Sequence, residues 1–247
     1  MHHFFISSEA VKDGRITITG PDVNHIKNAL RMRAGETLLI TTSAEEDFRC
    51  RILSIEEKQV EAEILSREES RELPMRFYLF QGLPKGDKME WIIQKAVELG
   101  VYQVIPVATN NTVVKLDAKR EKAKLERWQA IAESAAKQSG RGRIPQVGKI
   151  LGFQEALQWA ASLDRAWIPY EKEEGMEATR RELAALSGEV TSVGIFIGPE
   201  GGFDEEEIRQ AREAGIQPIS LGKRILRTET AGLAMLSLLM MKAEGAF

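Results

Sequence analysis

From Arg76 to the C-terminus, strand-length apolar runs alternate with helix-length amphipathic stretches, and this alternation constrains the fold more than any other feature of the chain. The run RFYLFQGL is followed by Met89, Ile92, Ile93, Ala96 and Val97, which recur at i, i+3, i+4, i+7 and i+8 as one apolar helix face. Asp87 stands at the expected N-cap with Glu90 three residues on, a capping-box pattern, and Gly100 closes the helix. VYQVIPVAT reads as a buried strand. A long basic helix comes next, with Leu125, Trp128, Ala132 and Ala135 as its apolar stripe, so Trp128 is expected in the core. The pattern continues as helix FQEALQWAASL, strand RAWIPY, helix MEATRRELAALS, strand SVGIFIG, helix DEEEIRQAREAG, strand IQPISLG and a helix from about Thr230. Strands alternating with helices predict an α/β domain with a mostly parallel sheet over residues 73–247.

Residues 1–72 read differently. HHFFI, RITIT, ETLLI, FRCRILSI and QVEAEIL are short strands separated by turn signals. One helical stretch, DVNHIKNALRMRAG, interrupts them and ends at Gly35. Many short strands around one helix predict a small β-barrel-like domain, with ELPMRF around Pro74 as the linker. Cys50 is the single cysteine, which excludes an internal disulfide and a cysteine zinc site and fits a reducing cytoplasm. MHHFFISSEA lacks the basic n-region and long apolar stretch of a signal peptide. The apolar run from Ala231 to Met241 falls short of the roughly 20 residues a membrane span needs. The expectation is a soluble protein with no membrane and no metal partner.

A formal net charge of −3 conceals an uneven distribution. Residues 1–72 carry 10 basic and 14 acidic side chains, residues 73–150 carry 14 and 7, and residues 151–247 carry 10 and 16. A basic middle third suits a polyanion docked on one face, though a solvated helix face would have the same composition.

Two loops stand out, each following a strand, where open α/β sheets bind ligands. Gly198-Pro199-Glu200-Gly201-Gly202 lets the backbone approach a ligand or adopt positive φ. It is not a phosphate cradle. It lacks the Lys-Ser/Thr of a P-loop, and Asp204 to Glu207 would repel a phosphate at the following helix start, so a cationic or neutral ligand, or a plain tight turn, fits better. Leu221 to Ala231, LGKRILRTETA, concentrates charge and hydroxyls before a very apolar helix, with Thr228 or Thr230 a candidate N-cap.

IGPEGGF, LGKRILRTETA, KGDKMEWIIQKAVELGV, AAKQSGRGRIP and NHIKNALRMRAGE, in this order-specific set covering essentially the whole chain, resemble the RsmE family of 16S rRNA uridine N3-methyltransferases, in the SPOUT superfamily. The resemblance implies a PUA-like β-barrel over residues 1–72 and, over residues 73–247, a SPOUT-type α/β domain tied in a trefoil knot. It also implies S-adenosylmethionine as methyl donor, 16S rRNA of the small ribosomal subunit as substrate, and a homodimer. On the same grounds the cofactor would be held by Pro169, Tyr170, Ile197, Gly198, Pro199, Glu200, Gly201, Leu221, Gly222, Ile225 and Leu226. Expected RNA contacts are Arg31, Arg33, Lys85, Lys88, Gln138, Arg141 and Arg143. Lys137 and Lys223 depart from the family's usual Glu and Pro, and His2-His3 replace its usual basic start.

Uracil N3 is a poor nucleophile until its proton leaves. Arg227 aimed at O2 or O4 would stabilise the resulting anion, and Glu200 or Glu229 would take the proton, unless either only caps backbone amides. The alternatives are a knotted methyltransferase acting on a ribose 2′-OH or another base, and a ribosome-assembly factor that binds RNA without catalysis.

Overall fold

The computed structural model describes residues 1–114 and 117–247. The chain divides into two compact units, Met1–Glu72 with Ala136–Ile144, and Leu73–Ala135 with Pro145–Phe247. The break after Glu72 is where the residue pattern changes. The return of 136–144 to the first unit has no counterpart in the sequence reading.

The first unit is built on β1 (His2–Ile6), β2 (Val11–Lys12), β3 (Arg15–Thr19), β4 (Thr37–Thr42), β5 (Asp47–Ile55) and β6 (Gln59–Glu68), in the spatial order β1-β4-β5-β6-β3-β2. β1 lies parallel to β4 and the other pairs are antiparallel. Register shifts at Arg49/Cys50 and Ile52/Ser54 put one extra residue into β6 and one into β5, which increases local twist and curls the sheet. Among the described residues no pairing joins β1 to β2, so the barrel stays half open. Alternating Phe4, Ile16, Ile18, Leu38, Ile40, Ile52 and Val60 fill its concave side. The helix expected through Gly35 is shorter: α1 (Pro21–Asn24) widens into a π-helical turn over His25–Ala29, and Arg31 leaves it at φ +52°.

Segment 136–144 holds Arg141 and Arg143, both expected to contact RNA. Arg141 is buried, and its Nε and Nη2 donate to the two carboxylate oxygens of Glu72 at 2.8 and 2.5 Å. The Gly142 amide donates to the same carboxylate at 2.8 Å. A guanidinium committed this way is a clamp for its own unit. Arg143 has a side chain only 13% exposed, 3.7 Å from Glu45. Nearby, buried His3 bonds Thr41 at 2.7 Å, and Thr41 donates to buried Asp47.

The second unit contains β7 (Arg76–Gly82), α2 (Lys88–Glu98), β8 (Gln103–Ala108), α3 (Ala118–Ser139, its last turn in the first unit), β9 (Gln146–Val147), β10 (Leu151–Gly152), α4 (Phe153–Ala160), β11 (Arg165–Pro169), α5 (Glu177–Ala184), β12 (Ser192–Ile197), α6 (Glu205–Glu213), β13 (Gln217–Ile219) and α7 (Thr228–Ala243). The strands run parallel in the order β10-β8-β7-β12-β11-β13, with β9 beside β8. The α2 stripe is fully buried, as its spacing predicts, and so is Trp128. The expected capping box at Asp87 is absent: its side chain caps nothing, and Glu90 pairs with Arg127 instead. A capping box forms at Asp204 and Glu207, in the turn whose acids looked only repulsive. No described helix is long and apolar enough to cross a membrane.

Candidate active site

Strand order reverses between β7 and β12, and the crevice at the carboxyl ends beside such a reversal is where open α/β sheets bind ligands. A pocket of about 470 Å³ lies there. Pro169 at the end of β11, Ile197 to Phe203 after β12, and Ile225 to Glu229 entering α7 line it, with Lys88 and Glu171.

The loops are stitched tightly. Gln81 in β7 donates to Thr228 Oγ1 at 2.9 Å, and Thr228 Oγ1 donates to the Gly198 carbonyl at 2.6 Å. Thr228 is therefore a strap between β7, the glycine loop and α7, not the N-cap, a position that Arg227 occupies without a side-chain bond. A Cβ on Gly82 would stand 2.6 Å from both Cδ and N of Pro199, so only glycine lets β7 and the loop approach this closely. Positive φ falls on Gly202, at +63°, and not on Gly201. Gly201 is kept small by Asn111, whose Cβ lies 3.0 Å from where a Gly201 Cβ would be.

The charged groups fall into two sets. Glu200 accepts from Lys88 Nζ at 2.8 Å and from the Lys85 amide at 3.2 Å. Burial alone would raise its carboxyl, but these bonds outweigh it and hold Glu200 below the ordinary glutamate range. Glu200 is thus a committed anion that ties the glycine loop to the loop after β7. Its hydrogen bonds raise Lys88 in turn. Glu229 differs. Its Oε2 is buried with no hydrogen-bond partner and lies 3.7 Å from Lys88 Nζ. Among the described residues the exposed Arg227 guanidinium and the Glu171 carboxylate have no hydrogen-bond or ion-pair partner.

Of the residues expected at the cofactor, Pro169, Ile197, Gly198, Pro199, Glu200, Gly201, Ile225 and Leu226 line the pocket. Tyr170, Leu221 and Gly222 do not. Tyr170 packs on the apolar core, and Gly222 turns the chain at φ +101°. Arg31, Arg33, Lys85 and Gln138 are exposed. Sequence reasoning missed Gln81, Asn111 and Glu171. A polar residue at the end of a strand, as Gln81 is, was the one signal available.

The fold and this pocket define the class. A family model described as RNA methyltransferase domain matches residues 71–240, and one described as RNA methyltransferase PUA domain matches residues 18–65. Ribosomal RNA small subunit methyltransferase E of Bacillus subtilis is 39% identical over 92% of this chain and 90% of its own length. The protein of that name from Mesomycoplasma hyopneumoniae is 32% identical over 96% and 98%. The crystal structure of a ribosomal RNA small subunit methyltransferase E from Neisseria gonorrhoeae, bound to S-adenosyl methionine, matches with a TM-score of 0.81 at 35% identity, covering 98% of this chain and 97% of that one. The chain belongs to the ribosomal RNA small subunit methyltransferase E family.

Proposed function

We propose that the protein transfers the methyl group of S-adenosylmethionine to N3 of a uridine in 16S rRNA of the small ribosomal subunit. The observation that carries this reading is that one pocket walled by a glycine loop is lined both by an unpartnered guanidinium, Arg227, and by Glu229, whose buried Oε2 has no hydrogen-bond partner. The residues fit the cofactor. The volume lies in the range of small-molecule sites, Ile197, Ile225 and Leu226 offer apolar walls for an adenine, and carboxylates face a donor that carries positive charge. When bound, S-adenosylmethionine supplies an electrophilic methyl group.

The chain's own residues do the rest. Glu229 accepts the N3 proton, because Glu200 has its lone pairs committed to Lys88 and the Lys85 amide. Arg227 presents its fixed fork of donors to O2 or O4 as negative charge gathers there. Exposed Arg31, Arg33, Lys85 and Gln138 contact the RNA. The return of the chain from β13 to α7, whose Thr228 reaches back to Gln81 and Gly198, fits a trefoil-knotted path. α7 is apolar around its whole circumference. Met235, Leu236 and Leu239 are buried in their own subunit. Leu233, Leu238, Met240 and Met241 remain open for a second copy, and the homodimer works in the cytoplasm, the compartment of its ribosomal substrate.

The test is a methylation assay with purified protein, labelled S-adenosylmethionine and 16S rRNA or small subunits, read by mass analysis of nucleosides. 3-Methyluridine is expected. A ribose-methylated nucleoside, another methylated base or no transfer would overturn the reading. Arg227→Ala should keep cofactor affinity and lose about 10²–10³ in single-turnover rate, with Arg227→Lys recovering part.

A further inference from the structure

The turn after β8, Thr109 to Thr112, belongs to no motif that carries the family resemblance, yet it grips the glycine loop from outside the pocket. Thr109 and Thr112 close it on themselves: the Thr109 amide donates to Thr112 Oγ1 at 2.9 Å and the Thr112 amide to the Thr109 carbonyl at 3.0 Å. Asn110 anchors it to the start of α6. Its amide donates to Glu207 at 2.8 Å and its side chain to Asp204 at 2.8 Å, the two members of the capping box. Asn111 then donates its side-chain amide to the Gly201 carbonyl at 2.9 Å and to the Gly202 carbonyl at 3.2 Å.

Peptide planarity converts these bonds into a statement about the pocket. In a trans peptide the carbonyl and the following N–H point in opposite directions. Holding the Gly202 carbonyl toward Asn111 therefore turns the Phe203 N–H away from Asn111. Phe203 lines the pocket while its ring is packed in the core. Its N–H has no partner among the described residues. The Gly202 N–H is already used, donating to the Pro199 carbonyl at 3.0 Å. Two consecutive glycines in an unbraced loop would sample many backbone states, and ordering them would weigh against any ligand.

We propose that Asn111 is a positioning residue for cofactor binding: its side-chain amide fixes the Gly201 and Gly202 peptides so that the backbone of the loop meets the nucleoside already ordered. The inference rests on the reading of this pocket as the S-adenosylmethionine site. It requires that Asn111 act on affinity and not on the chemical step. It also requires that the nucleoside common to donor and product feel the loss equally.

The experiment uses Asn111→Ala and Asn111→Asp in the full chain, titrated calorimetrically with S-adenosylmethionine and with S-adenosylhomocysteine. Single-turnover methylation of rRNA is measured at saturating cofactor. The loss of two neutral hydrogen bonds should weaken both ligands by roughly 30-fold in Asn111→Ala, with the saturated rate within about threefold of the parent's. Asn111→Asp should be weaker still, because a carboxylate would face two carbonyl oxygens. Unchanged affinity in Asn111→Ala, or a lost rate at unchanged affinity, would overturn the proposal while leaving the methyltransferase reading intact. A fall of melting temperature, rate and affinity together would also overturn it, by assigning Asn111 to the folding of the unit. A parent protein that binds neither nucleoside would instead sink the underlying reading.

Discussion

Arg141→Ala separates a structural guanidinium from an RNA contact. The side chain is buried and makes two charge-assisted bonds to Glu72, at 2.8 and 2.5 Å. Removing one partner of a buried ion pair costs about 3–5 kcal/mol, because the other charge is left without compensation. Glu72 keeps the Gly142 amide at 2.8 Å and its side chain is 17% exposed, so the lower end, about 3 kcal/mol, applies. For a chain of this length each kcal/mol moves the melting temperature by about 2–4 °C, which gives a fall of roughly 6–12 °C by calorimetry or circular dichroism. The double substitution Arg141→Met with Glu72→Met should recover most of the loss, since the charge left behind is removed too. RNA affinity measured by fluorescence anisotropy at several salt concentrations should keep the parent's slope. A melting temperature within a degree or two of the parent's, with the slope of log affinity against log salt flattened by about 0.7, would refute the reasoning and return Arg141 to the RNA face.

Gly82→Ala places a Cβ 2.6 Å from the Pro199 backbone, so stability should fall by about 1–3 kcal/mol in urea melts and cofactor affinity with it; Gly152→Ala, where a Cβ meets nothing within 4 Å, is the neutral control. Burial, with Arg71 and Lys137 adding to it, lowers the His3 imidazole to about 4, so the folded state disfavours its charged form. The stability this represents is fully present above pH 6.5 and is lost as pH falls toward 4, opposed at the low end by Asp47, whose carboxyl burial raises. His3→Gln should flatten that decline in urea melts, and an unchanged pH profile would contradict the assignment. If the proposed dimer forms through the open side of α7, Met241→Asp should leave a monomer in sedimentation at micromolar concentration without lowering the helix content.

What the chain's residues settled unaided was local and periodic. The α2 stripe, the buried Trp128 and the strand–helix alternation were legible because a helix or strand repeats its environment every few residues, and that repeat is written directly into the order of side chains. The two loops that line the pocket stood out for a related reason, since glycines and charges placed directly after apolar strands have few structural uses. Other features depended on partners far away in the chain. Arg141 looked like a surface cation until Glu72, 69 residues earlier, took its guanidinium. Asn111 carried no signal until the turn after β8 met carbonyls 90 and 91 residues on. Thr228 read as a cap and became a strap because Gln81, 147 residues before it, ends its strand against the same loop. The two-residue strands β9 and β10 have too few side chains to show a period, and pairing with β8 alone defines them. A single residue's hydrogen-bonding capacity is fixed by its chemistry, but which partner fills it is decided by the geometry that the packed sheet imposes.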